Sequence, residues 1–359
     1  MQKKISLLIL LAIWGSLTAF AWFGPKAEMS DAERRPLAQF PEVSGGNLLS
    51  GKFMADFGDY ALDQFPMRDG FRRLKSVFHY RVLNQSDNNG IYITQGHAAQ
   101  QEYPLDRDSL GHAMDRFGRL YEKYLQDAKV YMAIVPDKGY YLAQNAGQLQ
   151  MDYEGLYEAF QQGMPWAEQI DLRQVLTAED YYRTDTHWRQ EKLLDAAAVI
   201  CRAMGAAAGE YTEKHLDVPF YGVYYGQAAL PLEPDGLAIL ENDTLKECTV
   251  YDYESGKTRG IYDMEKLLGK DPYEVFLSGP RSLLEITNPN AGTDRELILF
   301  RDSFGSSMAP LLLQDYTKVT LVDIRYIQLE LLDKYIEFGN QDVLFLYSTL
   351  VLNNSETLK

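Results

Sequence analysis

A chain of 359 residues, 46% hydrophobic and 24% charged, has the balance of a folded protein of one large domain or two smaller ones, which excludes wholesale disorder. Its formal charge of −16 argues against nucleic acid and against an electrostatically held membrane surface, because phosphate contacts need clustered Lys and Arg. Two cysteines, Cys201 and Cys248, are too few for a disulfide scaffold or a Cys-rich zinc site, and they leave a single bridge between them open.

Lys3 and Lys4 precede an uncharged run from Ile5 to Phe23. At 1.5 Å per residue this run is about 28 Å long, enough to cross a hydrocarbon core. The lysines place its start in the cytoplasm and Gly24 onward outside. The expectation is an uncleaved signal anchor over residues 1–23; the alternative is a secreted chain cleaved after Ala19-Phe20-Ala21.

Residues 24–48, polar and proline-bearing, read as a juxtamembrane linker, and residues 49–128 as a helical segment packed on the core. Phe53, Phe57, Tyr60 and Ala61 recur at helical spacing behind Ser50, the expected cap. A second helix is expected after Pro66 through Phe71, Leu74, Phe78 and Val82. Asn89-Gly90 turns into a strand at Ile91–Ile93, and a third helix fits Asp108–Tyr124. The core domain is expected over 129–359. Its apolar runs Val130–Val135, Glu274–Leu277, Glu296–Phe300, Val319–Val322 and Val343–Tyr347 read as strands, the last three separated by helical patterns at Ser306–Tyr316 and Tyr326–Phe338. Strands apolar on both faces and alternating with helices predict a doubly wound parallel sheet in an α/β fold, with helices on both faces. Residues 210–272, rich in Tyr, Gly and turn formers, read as an inserted, partly β lobe.

Two segments carry chemistry. Tyr182-Arg-Thr-Asp-Thr-His-Trp188 ends a loop ahead of a helix at about 190–204, and Phe300-Arg-Asp-Ser-Phe-Gly305 runs from a strand straight into a helix start. Ligands of such sheets bind beyond the carboxyl ends of the strands, where helix-start amides can receive an oxyanion. A serine hydroxyl becomes a nucleophile when a carboxylate-oriented histidine takes its proton. Asp185, His187 and Ser303 supply the three groups; a helix-capping Asp185 with an interior His187 is equally compatible with the residues alone. A metal at Asp185 and His187 would need a further ligand, and no second histidine stands at helical spacing. The chain has no P-loop, dinucleotide glycine fingerprint or EF-hand loop, so no metal and no cofactor is expected.

Leu49-Ser-Gly-Lys-Phe53, Asp63-Gln-Phe-Pro-Met-Arg68, Val135-Pro-Asp-Lys138, Tyr182–Trp188, Phe220-Tyr-Gly222, Asp271–Gly279, Arg301-Asp-Ser-Phe304 and Asp323-Ile-Arg-Tyr326 together resemble the DHHW family of exported bacterial proteins. More distantly, the chain is similar to SGNH-hydrolase-like proteins that O-acetylate alginate and other exopolysaccharides. The resemblance implies an SGNH-like fold with Ser303 as nucleophile, His187 as base and Asp185 as its orienting acid. It implies an O-acetyltransferase or acetylesterase acting on a cell-surface polysaccharide, with a membrane partner relaying the acyl donor. The namesake Asp-His-His-Trp reads Asp185-Thr186-His187-Trp188 here, and Pro280 stands where an asparagine is expected. Oxyanion or substrate contacts then fall to the Ser303 amide, Gly279 and Arg325, with Lys138 and Tyr182 nearby in the matching segments. The alternative is an inactive SGNH-like envelope or glycan-binding protein.

Overall fold

The computed structural model describes residues 2–30, 32–229 and 232–359. Position 31 of the expected linker and positions 230 and 231 of the expected lobe, with residue 1, lie outside the described residues. The chain divides into two units, residues 1–89 with 225–232, and residues 90–224 with 233–359.

In the first unit, α1 (Gln2–Phe23) contains the one helix segment, Lys4–Phe23, long and apolar enough to cross a membrane among the described residues. α2 (Lys52–Asp63) starts from Gly51, whose φ of 76° suits a residue without Cβ. Gly51, rather than Ser50, is therefore the N-cap residue, and Ser50 closes the short helix Gly45–Leu49. α3 (Arg68–Val77) follows Pro66 and continues over Phe78–Val82 in a wider turn, in which Leu83 N donates to Phe78 O at 2.9 Å. Charge holds this unit together: Arg35 binds both oxygens of Asp63 at 2.7 and 2.8 Å, and Arg68 reaches Glu33 at 2.6 Å. Arg72 reaches Glu33 at 3.1 Å. The Arg35 bonds hold the Asp63 carboxyl down at about 2.

The second unit opens with the hairpin β1 (Ile91–Thr94) and β2 (His97–Gln100), followed by α4 (Arg107–Leu120). Its main sheet has eight strands, taken here in chain order: β3 (Lys129–Val135), β4 (Glu168–Asp171), β5 (Thr249–Asp252), β6 (Lys257–Arg259), β7 (Leu283–Thr287), β8 (Arg295–Arg301), β9 (Tyr316–Val322) and β10 (Asp342–Ser348). The spatial order is β6-β5-β7-β9-β8-β10-β3-β4. The five strands from β9 to β4 pair in parallel, and β5, β6 and β7 extend the edge antiparallel. The sheet is thus mostly parallel, with an antiparallel edge drawn partly from the lobe. A separate hairpin, Thr212–Phe220 with Asp235–Glu241, supplies the rest of the lobe's β structure.

Side chains on a strand point alternately to opposite faces. Tyr131, Ala133, Val135, Leu297, Leu299, Leu344 and Leu346 enter one apolar core with α6 (Leu194–Ala203), while Val130, Met132, Ile134, Ile298, Phe300, Val343 and Phe345 enter another with α4 and α5 (Tyr153–Gly163). Both faces are therefore covered, as the continuous apolar runs required. The run Glu274–Leu277 is not a strand: Pro272–Val275 forms a tight i→i+3 turn, and Leu277, at φ 55°, leaves the β region. The expected helices at Ser306–Tyr316 and Tyr326–Phe338 are mostly short i→i+3 turns, Ala309–Asp315 and Leu329–Lys334. Pro310, early in the first, supplies no N–H for a longer α-helix. Both cysteines are buried free thiols.

Candidate active site

β8 has β9 on one side and β10 on the other, so the chain diverges at its carboxyl end. Ser303 lies two residues beyond that end, immediately before the helix Gly305–Met308. Asp302 forms the turn: its Oδ1 accepts from Phe304 N at 3.0 Å and its Oδ2 from Ser348 N, at the end of β10, at 2.8 Å. Asp302 is fully buried and Ser303 only half-buried, so the tether is inside and the hydroxyl outside.

The second segment arrives as a tight loop. Tyr182 N donates to His187 O at 3.0 Å, and Arg189 N to Asp180 O at 2.7 Å. His187 Nδ1 lies 2.6 Å from Asp185 Oδ1, which also accepts His187 N at 3.0 Å. A carboxylate can only accept, so Nδ1 carries the proton and Nε2 presents its lone pair. That Nε2 is 2.8 Å from Ser303 Oγ. Asp185 Oδ2 accepts from Val223 N at 2.8 Å, so both carboxylate oxygens are engaged. Asp185 is thus bonded both to His187 and to Val223 N, the first residue of a short helix, and not to the helix that follows it in sequence; His187 has a partner on each ring nitrogen and is not an isolated interior histidine. The structure brings the three residues into one hydrogen-bonded line, with His187 and Ser303 meeting across 116 positions of sequence.

Further residues fix this line: Trp188, Gly222 and Tyr273 lie in the matching segments without having been given a role, and Asp235 and Ser307 lie outside them. Tyr273 stacks on the His187 ring, centroids 4.0 Å apart and planes 12° apart. The Tyr273 hydroxyl and Ser307 Oγ are 2.9 Å apart, and Trp188 Nε1 donates to Ser307 Oγ at 2.8 Å and to Phe304 O at 3.1 Å. Imidazole loop and serine turn are therefore bolted together. Asp235 holds the loop from the lobe: Thr184 N and Oγ1 donate to its Oδ2 at 2.9 and 2.7 Å, and Arg183 N to its Oδ1 at 2.8 Å. Gly222 passes directly behind Asp185; a Cβ there would lie 2.3 Å from Asp185 Cβ. The matching Phe220-Tyr-Gly222 segment was the one sequence signal for that approach.

The remaining sequence candidates fall elsewhere. Lys138 is buried beneath the loop and donates to the carbonyls of Ala98, Tyr182 (2.9 Å) and Arg183 (3.3 Å). Burial pushes its ammonium down to about 7, against the pull of Asp185 and Asp235. Its contacts are those of a clamp on the loop. Tyr182 is fully buried against Phe220, ring centroids 4.8 Å apart. Arg325 spends its guanidinium on Asp323 in a two-point bond of 2.9 and 2.7 Å. The Gly279 N–H donates to Phe276 O at 3.3 Å, and Pro280 next to it has no N–H to offer. The Ser303 N–H has no acceptor among the described residues. Of the proposed oxyanion donors, it alone is both uncommitted and adjacent to the hydroxyl. No group of three or more His, Cys, Asp or Glu side chains able to hold a metal occurs among the described residues.

The model of the DHHW protein family matches residues 171–322, a span that includes Asp185, His187 and Ser303. A DHHW family protein from Eubacterium siraeum shares the fold at 20% identity, covering 76% of this chain and 95% of its own, with a TM-score of 0.59. Bacillus cereus PatB1, solved with a sulfonyl adduct, does so at 17% identity over 73% of this chain and 95% of its own, with a TM-score of 0.55. The O-acetyltransferase domain of Pseudomonas putida AlgJ matches at 13% identity over 74% of this chain and 92% of its own, with a TM-score of 0.45. No curated protein sequence matches the chain. Family model and solved folds agree with the motifs read from the sequence: the chain is similar to DHHW proteins over residues 171–322 and shares its α/β fold with the solved DHHW and PatB1 structures.

Proposed function

We propose that this protein is a membrane-anchored acyl-transfer enzyme in which Ser303, His187 and Asp185 move an acetyl group on a cell-surface polysaccharide. The observation that carries the reading is the unbroken line from Asp185 Oδ1 through His187 to Ser303 Oγ, with contacts of 2.6 and 2.8 Å. His187 Nε2 takes the Ser303 proton as Oγ attacks the acyl carbonyl carbon. The carbonyl π bond opens to an oxyanion that faces the Ser303 N–H. As that oxyanion collapses, the bond to the donor's leaving atom breaks, His187 returns the proton to it, and an acyl-serine remains. A sugar hydroxyl, deprotonated by the same Nε2, then attacks the acyl-serine; the new ester leaves and Ser303 recovers its proton. Water as acceptor gives the esterase instead. Asp185 keeps the imidazole in its Nδ1–H form and stabilises the transient imidazolium.

The α1 span supports a single-pass anchor with the second unit outside the cytoplasm. Acyl donors made in the cytoplasm then need a relay through the membrane, which is the partner this reading implies. A second reading, a glycan-binding protein with an idle site, draws on the spent Gly279 amide and on Pro280. The test is a sulfonyl fluoride or fluorophosphonate probe on the full chain in detergent. The proposal expects one adduct, on Ser303, abolished by Ser303→Ala and His187→Ala, together with turnover of p-nitrophenyl acetate. No adduct and no turnover would leave the binding reading standing.

A further inference from the structure

We infer that the outward face of α3, with that of α2 beside it, lies in the headgroup layer of the bilayer that α1 crosses, and that its ligand is anionic phospholipid. This rests on the anchor reading above. α3 is built inside out. Its inward positions are polar: Arg68 and Arg72 pair with Glu33, Arg72 also donates to Gly226 O, and Ser76 donates to Ala228 O. Its outward positions, spaced three or four apart, are Phe71, Leu74, Phe78 and Val82, and they are 45–64% exposed. Water does not favour that arrangement, whereas an interface with lipid does.

Charge points to the same occupant. With Arg68 and Arg72 turned inward onto Glu33, residues 68–82 still hold Arg73, Lys75 and Arg81 against Asp69 alone, a local excess of cations in a chain of net charge −16. Lys75 and Arg81 are exposed on either side of the apolar stripe, as in a helix that lies on an anionic surface. The acidity of the whole chain argued against such a surface; the local distribution reverses that for this face.

Depth gives an independent argument. α2 and α1 share an apolar cleft of 230 Å³ whose walls include Phe57, Tyr60 and Phe65 on one side and Trp14, Leu17 and Trp22 on the other. Trp14 is nine residues before Phe23, about 14 Å along the helix axis. If α1 spans the bilayer, residues from Trp14 to Trp22 lie in its outer half, and α2 lies beside them. Tyr and Trp suit that depth.

The test uses the full chain in lipid nanodiscs, with an environment-sensitive thiol label at single introduced cysteines; Cys201 and Cys248 are buried. Labels at Leu74→Cys, Phe78→Cys and Val82→Cys should be quenched by spin-labelled lipid in discs containing phosphatidylglycerol. A label at Leu268→Cys, at a residue 90% exposed in the other unit, should not. Lys75→Gln with Arg81→Gln should lower quenching at position 74 in anionic discs and leave it unchanged in zwitterionic ones. Positions 74, 78 and 82 as unquenched as 268, with a label at Leu10→Cys quenched, would overturn the lipid surface and leave the anchor. An unquenched Leu10 label would overturn the anchor itself. Protection of position 74 in native membranes but not in protein-free discs would assign the face to a membrane protein and overturn the lipid assignment.

Discussion

Gly222→Ala probes whether the triad depends on the backbone behind it. A Cβ at position 222 would stand 2.3 Å from Asp185 Cβ, 2.4 Å from Asp185 Cα and 2.4 Å from Thr184 O. None of these atoms is the end of a flexible side chain, so relief requires the 184–187 loop to retreat by roughly 1 Å towards ordinary van der Waals separation. That loop is tied to Asp235 and Lys138, which resist the movement. Overpacking of this kind costs about 1–3 kcal/mol of stability. A displacement of about 1 Å at a reacting group costs about 100-fold in rate. The rate of Ser303 modification by a sulfonyl fluoride, measured beside the melting temperature, separates the two effects: a fall of about two orders of magnitude in labelling is expected while the variant stays folded at 25 °C. Labelling within a factor of two of the parent in a folded Gly222→Ala protein would refute the claim that Asp185 is held in place from behind.

Three further outcomes follow from the same geometry. Asp185→Asn removes the acceptor that fixes the Nδ1–H form, and should lower ester turnover by about three to four orders of magnitude with KM little changed, read from steady-state kinetics. Lys138→Met should lower the melting temperature and slow labelling together, because three carbonyls lose their shared donor; a variant of unchanged stability and reactivity would show the clamp to be dispensable. Burial, then Asp137, pushes the Glu102 carboxyl up to about 7. The folded state then binds more protons than the unfolded chain between about 4.5 and 7, so this group's contribution to stability is present at acid pH and lost as pH rises through that window. Glu102→Gln should flatten the melting temperature between pH 5 and 7, and an unchanged slope would contradict it.

The candidate site was legible only in part: the residues alone left a helix-capping Asp185 with an interior His187 equally compatible, and the family resemblance favoured the three-residue reading. Asp185 and His187 end a loop ahead of a helix, and Ser303 follows an apolar run of the length of a buried strand. The parallel strands were legible for the same reason, since residues such as Val130 to Val135 feed both cores. The antiparallel edge was not: β5 reads Thr-Val-Tyr-Asp and β6 Lys-Thr-Arg, runs too short and polar to stand out. Glu274–Leu277 misled because its apolar side chains are buried, yet the backbone there turns left-handed at Leu277, Ser278 and Gly279. Lys138 and Arg325 were plausible beside an oxyanion by position along the chain. Only coordinates show one spent on carbonyls and the other on Asp323. Tyr273, Asp235 and Gly222 act on the site from far along the sequence, where spacing carries no signal.

The most direct test of the central claim is the site and base dependence of covalent capture. Intact-mass and peptide analysis of the full chain after a sulfonyl fluoride pulse at neutral pH should find one adduct, on Ser303, formed at a rate that collapses in His187→Ala while the fold persists. An adduct on another residue, or Ser303 modified as fast in His187→Ala as in the parent, would contradict it.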